Sequence, residues 1–225
     1  MRRAFPRVIA AGLPLGLALV ACSRATQPPV RAGVRPGAGD QAILSPAAQA
    51  RADSGRPPYT AQDVHFMSGM IGHHAQAVLM AGWAPTHGAS AAVRALCERI
   101  VVAQRDEIAF MQRWLRERRE TVPEADPRGY TMPGMDHPML MPGMLTPDEL
   151  AQLDGASGPE FDRLFLTFMI QHHQGAITMV EELFSAHGAA QDDYVFKFAA
   201  DVNADQSTEI DRMNRMLAAL PSGGK

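Results

Sequence analysis

From Tyr59 onward, apolar residues recur three and four positions apart, the spacing that paints one stripe along a helix. Phe66, Met70, Ala77 and Met80 share such a stripe. Thr60-Ala61-Gln62-Asp63 can cap it, with Asp where a capping box usually carries Glu or Gln. Pro85 and His87-Gly88 mark its end. A second helix is expected from about Ser90 to Glu120, stopping before Pro123. Gly158-Pro159 opens a third, which Gly188 closes, and a fourth runs from about Ala190 to Leu220 against Pro221. Thr146-Pro147-Asp148-Glu149 has the form of a capping box on a short extra helix. No stretch sustains the alternation of a strand.

The pattern occurs twice. Phe66-Met67-Ser68-Gly69-Met70-Ile71-Gly72-His73-His74 returns as Phe165-Leu166-Thr167-Phe168-Met169-Ile170-Gln171-His172-His173. Ala77 and Met80 then match Ala176 and Met179, and His87-Gly88 matches His187-Gly188. A second block, Ile100…Gln104…Glu107-Ile108…Met111…Leu115, matches Val202…Gln206…Glu209-Ile210…Met213…Leu217. Two blocks in one order at nearly one separation imply an internal duplication. The expected fold is therefore all-α, a four-helix bundle made of two repeated helical hairpins.

What sits on the stripes is unusual. His73 and His74 fall about 60° to one side of Met70 and about 40° to the other, so both straddle the inward face. Met70 lies three and four residues before them, within side-chain reach. Met169, His172, His173 and Met179 repeat the arrangement. On the partner helices, Gln104 and Glu107, and in the second copy Gln206 and Glu209, stand among apolar residues where an unpaired polar group would be costly. A metal-bound imidazole commonly passes its other N–H to a carboxylate or amide, and these four residues are candidates for that role. A lone inward His is more often a hydrogen-bonded core residue; two inward His-His pairs beside Met favour metal. Met80, Met111, Met179 and Met213 suit pliable core packing as well as ligation. Cys97 aligns with Ala199 and reads as a small core residue, while His65, His87 and His187 fall near helix ends.

The ends and the composition narrow the setting. Arg2, Arg3 and Arg7 precede a short apolar run, Val8 to Val20, too short to span a bilayer comfortably. It closes on Leu19-Val20-Ala21-Cys22, which resembles the bacterial lipobox, whose cysteine is acylated and begins the mature chain. Residues 1–21 are thus expected to be a lipoprotein signal peptide. Residues 22–58, rich in Ala, Pro, Gly, Arg and Ser, form a flexible tether to the membrane, and 59–221 form the domain. The expected location is extracytoplasmic, lipid-anchored at the cell membrane or outer membrane. Cys97 alone remains in the mature domain, so no internal disulfide supports it. A net charge of −3 without a basic block gives no reason to expect a nucleic-acid partner.

Between the halves, at 131–145, lies a methionine-rich loop. Met132, Met135, Met139, Met141 and Met144 are five of the chain's 14 methionines, and His137 stands among them. The interspersed Pro and Gly forbid a helix, so these thioethers cannot all be buried on one regular face. Thioether sulfur is soft and unprotonated and suits Cu(I) or silver; imidazole adds affinity for Cu(II). Thioethers also escape the oxidation that consumes thiols outside the cytoplasm. A flexible loop of this kind suits capture and transfer, and copper is the expected ligand.

At Met-Ile-x-His-His followed by Gln-x-x-Glu-Ile-x-x-Met, the chain resembles domain-of-unknown-function family 305. The resemblance covers roughly Tyr59 to Leu220, and Met169-Ile170-Gln171-His172-His173-Gln174-Gly175-Ala176-Ile177 is its most specific part. The first copy departs from that run, with Ala75-Gln76 in place of Gln174-Gly175. The resemblance implies a ferritin-like bundle and extracytoplasmic copper binding or tolerance, since members of the family include copper-binding metallochaperones; a copper-accepting envelope protein is a candidate partner, which the sequence does not identify.

The expected function is a copper-binding lipoprotein that sequesters or transfers copper, preferring Cu(I), and not an enzyme. An alternative is a structural or docking lipoprotein of the envelope that binds no metal. A di-iron or di-manganese oxidase would use Glu-x-x-His motifs, and the chain contains none.

Overall fold

The computed structural model describes residues 54–55, 58–132 and 134–221. The signal-peptide and tether segments, Cys22 included, lie outside the described residues apart from a few at the tether's end. Among the described residues five helices run in order: α1 (Ala61–Gly82), α2 (Ala91–Glu117), α3 (Pro147–Asp154), α4 (Pro159–Ser185) and α5 (Asp193–Ala219). Among the described residues there is no strand, only an isolated antiparallel bridge between Tyr130 and Met139. No described helix is long and apolar enough to cross a membrane.

The helices lie where the apolar periodicity places them, with corrected ends. α2 stops at Glu117, three residues short of expectation, because Arg119 turns into the left-handed region with φ 59°. α4 ends at Ser185, before Gly188, and α5 starts at Asp193, where Asp192 caps Tyr194 and Val195 through their N–H groups. The short α3 carries the expected capping box of Thr146 and Glu149.

α1 packs along α2, α4 along α5, and α1 against α4, while the short α3 touches both α1 and α4. Two equivalent clasps join the halves. Thr60 and Asp63 form a capping box on α1, and the second oxygen of Asp63 accepts a hydrogen bond from Ala190 N in the α4–α5 turn at 2.7 Å. Its repeat counterpart, Asp162 on α4, accepts from Ser90 N in the α1–α2 turn at 3.1 Å. Both carboxylates are buried, so these bonds are what make their burial tolerable. Each copy thus grips the other's turn, and α1 and α4 run antiparallel.

The core divides into two apolar lobes. One contains Phe66, Met67, Met70, Met111, Met179 and Val202; the other contains Met80, Cys97, Ile100, Phe165, Met169 and Met213. Each lobe draws on both copies.

Candidate metal centre

The histidines of the two copies meet on the α1–α4 seam. His73, His74, His172 and His173 are all fully buried. The rings of His73 and His172 lie 3.8 Å apart between centroids, tilted by 40°. His74 and His173 flank this pair at 6.1 Å and 6.3 Å from their sequence neighbours. The sequence treats each Met–His–His motif as a site of its own; the structure instead joins the two motifs face to face.

The outer nitrogens are held. His173 Nε2 lies 2.7 Å from Glu209 Oε2 and donates to that carboxylate. His74 Nε2 stands at the same 2.7 Å from Glu107 Oε2, though not aligned for a hydrogen bond. His73 Nε2 lies 3.0 Å from the carbonyl oxygen of Pro142, which can only accept, so Nε2 carries the proton and Nδ1 keeps its lone pair. The Nδ1 atoms of His73 and His173, and both nitrogens of His74 and His172, have no hydrogen-bond partner. Buried polar atoms are almost always satisfied, so six unpartnered imidazole nitrogens in one place require an explanation.

Electrostatics keep the inner pair neutral. Burial first, and then the neighbouring imidazoles, hold His73 and His172 well below the ordinary histidine value. Their lone pairs are therefore available at neutral pH without displacing a proton. Burial, then the nearby Asp162 carboxylate, push the Cys97 thiol up to about 12, so it carries its proton at neutral pH. Among the described residues no three His, Cys, Asp or Glu side chains already converge as a closed metal cage.

Behind the histidines, α2 and α5 leave a cleft of about 310 Å³ lined by Gln104, Glu107, Asp205, Gln206 and Glu209. Gln104 and Gln206 are buried, and their Oε1 atoms are unpartnered. Burial and the nearby Glu107, Asp201 and Glu209 raise the Asp205 carboxyl above its usual range. The four Gln and Glu candidates therefore line one opening, and the two glutamates each stand 2.7 Å from a histidine nitrogen.

The methionines separate into three groups. Met70 and Met179 fall in one lobe, Met80 and Met169 in the other, each a pairing across the two copies. Met135, His137 and Met139 are exposed, Met132 and Met141 half-buried, and Met144 buried. The loop is not free along its length, which corrects the expectation of a flexible connection. Gln76 on α1 donates to the carbonyls of Pro127 and Leu145, each at 3.0 Å, and accepts from Leu145 N at 2.7 Å. Gly72 meets the Gly129 backbone and Gly175 meets Pro142, approaches a side chain would prevent. Those glycines stand where the other copy has Gln171 and Gln76. The loop is thus a strap pinned across the seam directly over His73.

The model of the family described as domain of unknown function (DUF305) matches residues 63–217. The chain belongs to this family. A DUF305 fragment from Deinococcus radiodurans shares 30% identity over 73% of this chain and 100% of its own, with a TM-score of 0.60. A DUF305 protein from Streptomyces coelicolor, described as secreted, shares 26% identity over 73% of this chain and 98% of its own, with a TM-score of 0.59. CopM in its Cu(II)-bound form shares 27% identity over 69% of this chain and 95% of its own, with a TM-score of 0.54. CopM is also solved with Cu(I) and with silver. No curated protein matches the chain.

Proposed function

We propose that this chain is an extracytoplasmic copper-binding protein, anchored through an acylated Cys22, that captures copper on its Met-rich strap and holds or hands it on at the histidine centre. The four long helices are read as a ferritin-like bundle serving as a rigid frame, with no catalytic role. One observation carries the proposal: buried imidazoles whose Nε2 atoms are engaged by Pro142 or Glu209, and whose Nδ1 lone pairs face no partner. Imidazoles held at one nitrogen and free at the other are prepared to ligate.

The likeness to CopM supports copper as the cargo, since that relative is solved with Cu(II), Cu(I) and silver. The exposed thioethers of Met135 and Met139 support preference for Cu(I), because soft, neutral sulfur binds the monovalent ion and discriminates against Zn(II). A likeness to a secreted relative and the lipobox-like Leu19-Val20-Ala21-Cys22 support export. Competition between Cu(I) and Zn(II) for the mature chain is the test. The expected result is that equimolar zinc displaces no Cu(I); displacement would remove the copper assignment.

A further inference from the structure

The two lobes differ at one slot. Gly69 on α1 corresponds to Phe168 on α4, and where Phe168 fills its own space, Gly69 leaves room. Met141 occupies that room. The position a Cβ of residue 69 would take lies 2.7 Å from Met141 Cε, 3.3 Å from Met141 Sδ and 3.5 Å from Met179 Cε. A strap thioether and a helix thioether thus meet over one glycine. Met80, the repeat counterpart of Met179, lies in the opposite lobe.

The strap is continuous with the histidines at this point. Pro142, the next residue, gives its carbonyl to His73 Nε2, and His73 and His172 beneath it carry unpartnered, fully buried nitrogens. Met144 is already engaged, since its sulfur accepts from Met141 N at 3.3 Å. Met141 is half-buried, whereas Met179 is only 3% exposed, so one side chain is partly open to solvent and the other is not.

We infer that the Gly69 slot is a soft-metal site, in which Met141 and Met179 take one Cu(I)- or Ag(I)-class ion between the exposed strap thioethers and the histidine centre. Two neutral thioethers suit a monovalent soft ion, whose transfer from water costs less than that of a divalent one. The two copies differ at this position, Gly69 against Phe168, so the slot has no equivalent on α4. The inference shares with the proposed function only the class of cargo, and the two fail separately.

The test uses Ag(I), which is redox-silent, titrated into the full mature chain with X-ray absorption at the silver edge. Met141→Leu and Met179→Leu conserve volume and keep the packing. Each is expected to remove one equivalent of bound Ag(I) and to lower the sulfur coordination. Gly69→Phe should do the same with both methionines still present, and Met80→Leu should remove nothing. His172→Ala with His173→Ala should leave the slot's equivalent in place. The inference is overturned if Met141→Leu and Met179→Leu bind as much silver as the parent chain, or if Met80→Leu costs as much as Met179→Leu. Loss of silver in the histidine variant alone would also overturn it, while leaving the histidine centre standing.

Discussion

One lobe of the core gathers Met70, Met111 and Met179; the other gathers their repeat counterparts Met169, Met213 and Met80. The frames are alike, down to the clasps of Asp63 and Asp162. Their surroundings are not. Beside the first lobe, Gly69, Gly72 and Gln76 seat the connecting strap and its Met141; the second carries Phe168, Gln171 and, buried in its core, a protonated Cys97. Duplication supplies a symmetric cradle for four histidines, and the departures from symmetry seat the strap over one side of it.

The largest expected effect comes from unseating the strap. A Cβ at Gly175 would stand 1.9 Å from the Pro142 carbonyl oxygen, a clash with backbone that no rotamer relieves. Gly175→Ala should therefore cost about 3 kcal/mol or free the strap altogether. A lowered urea midpoint, or protease cutting within residues 134–145, would register either outcome; unchanged stability with an uncut strap would contradict the seating.

The two clasps sharpen the comparison next. Asp63 accepts from Thr60 N, Thr60 Oγ1 and Ala190 N, whereas Asp162 accepts from Ser90 N. Asp63→Ala should cost about 2–3 kcal/mol and Asp162→Ala about 1–2 kcal/mol, each leaving a backbone donor unmatched. Equal losses in denaturant titrations would show that the capping box adds nothing.

Much of this was legible beforehand, and the rest was not, for identifiable reasons. Helical spacing gave Met70, His73 and His74 one inward face, and alignment of the copies exposed the duplication. A helical wheel, however, reports a face and not the register between helices. It could not place His73 against His172, or Met70 with Met179 in preference to Met80. The clasp has a signal in the alignment of Asp63 with Asp162, but an Asp at that position reads equally as an imperfect cap. The strap has a signal too: Gly72 and Gly175 each stand opposite a glutamine in the other copy, which marks a backbone in close approach. Pro and Gly in residues 132–144 exclude a helix but do not by themselves distinguish a free loop from a pinned one.

A smaller effect concerns acid. His73 and His172 are held below their ordinary value of 6.5 in the fold and recover it when the chain unfolds. Below about pH 6.5 the unfolded chain then binds more protons than the folded one, so stability falls as pH drops. The metal-free protein should lose thermal stability between about pH 6.5 and 5, and His73→Phe with His172→Phe should flatten that slope. An unchanged slope in the variant would place the acid sensitivity elsewhere.

Copper held at the α1–α4 seam requires the buried histidines to be ligands and not merely packed rings. Chelator competition with Cu(I), comparing the mature chain with its His172→Ala, His173→Ala variant, measures this most directly. The variant is expected to lose the tightest copper while still loading the exposed strap methionines. If it keeps the parent's full stoichiometry and affinity, the histidines are structural and copper binding rests on the thioethers alone.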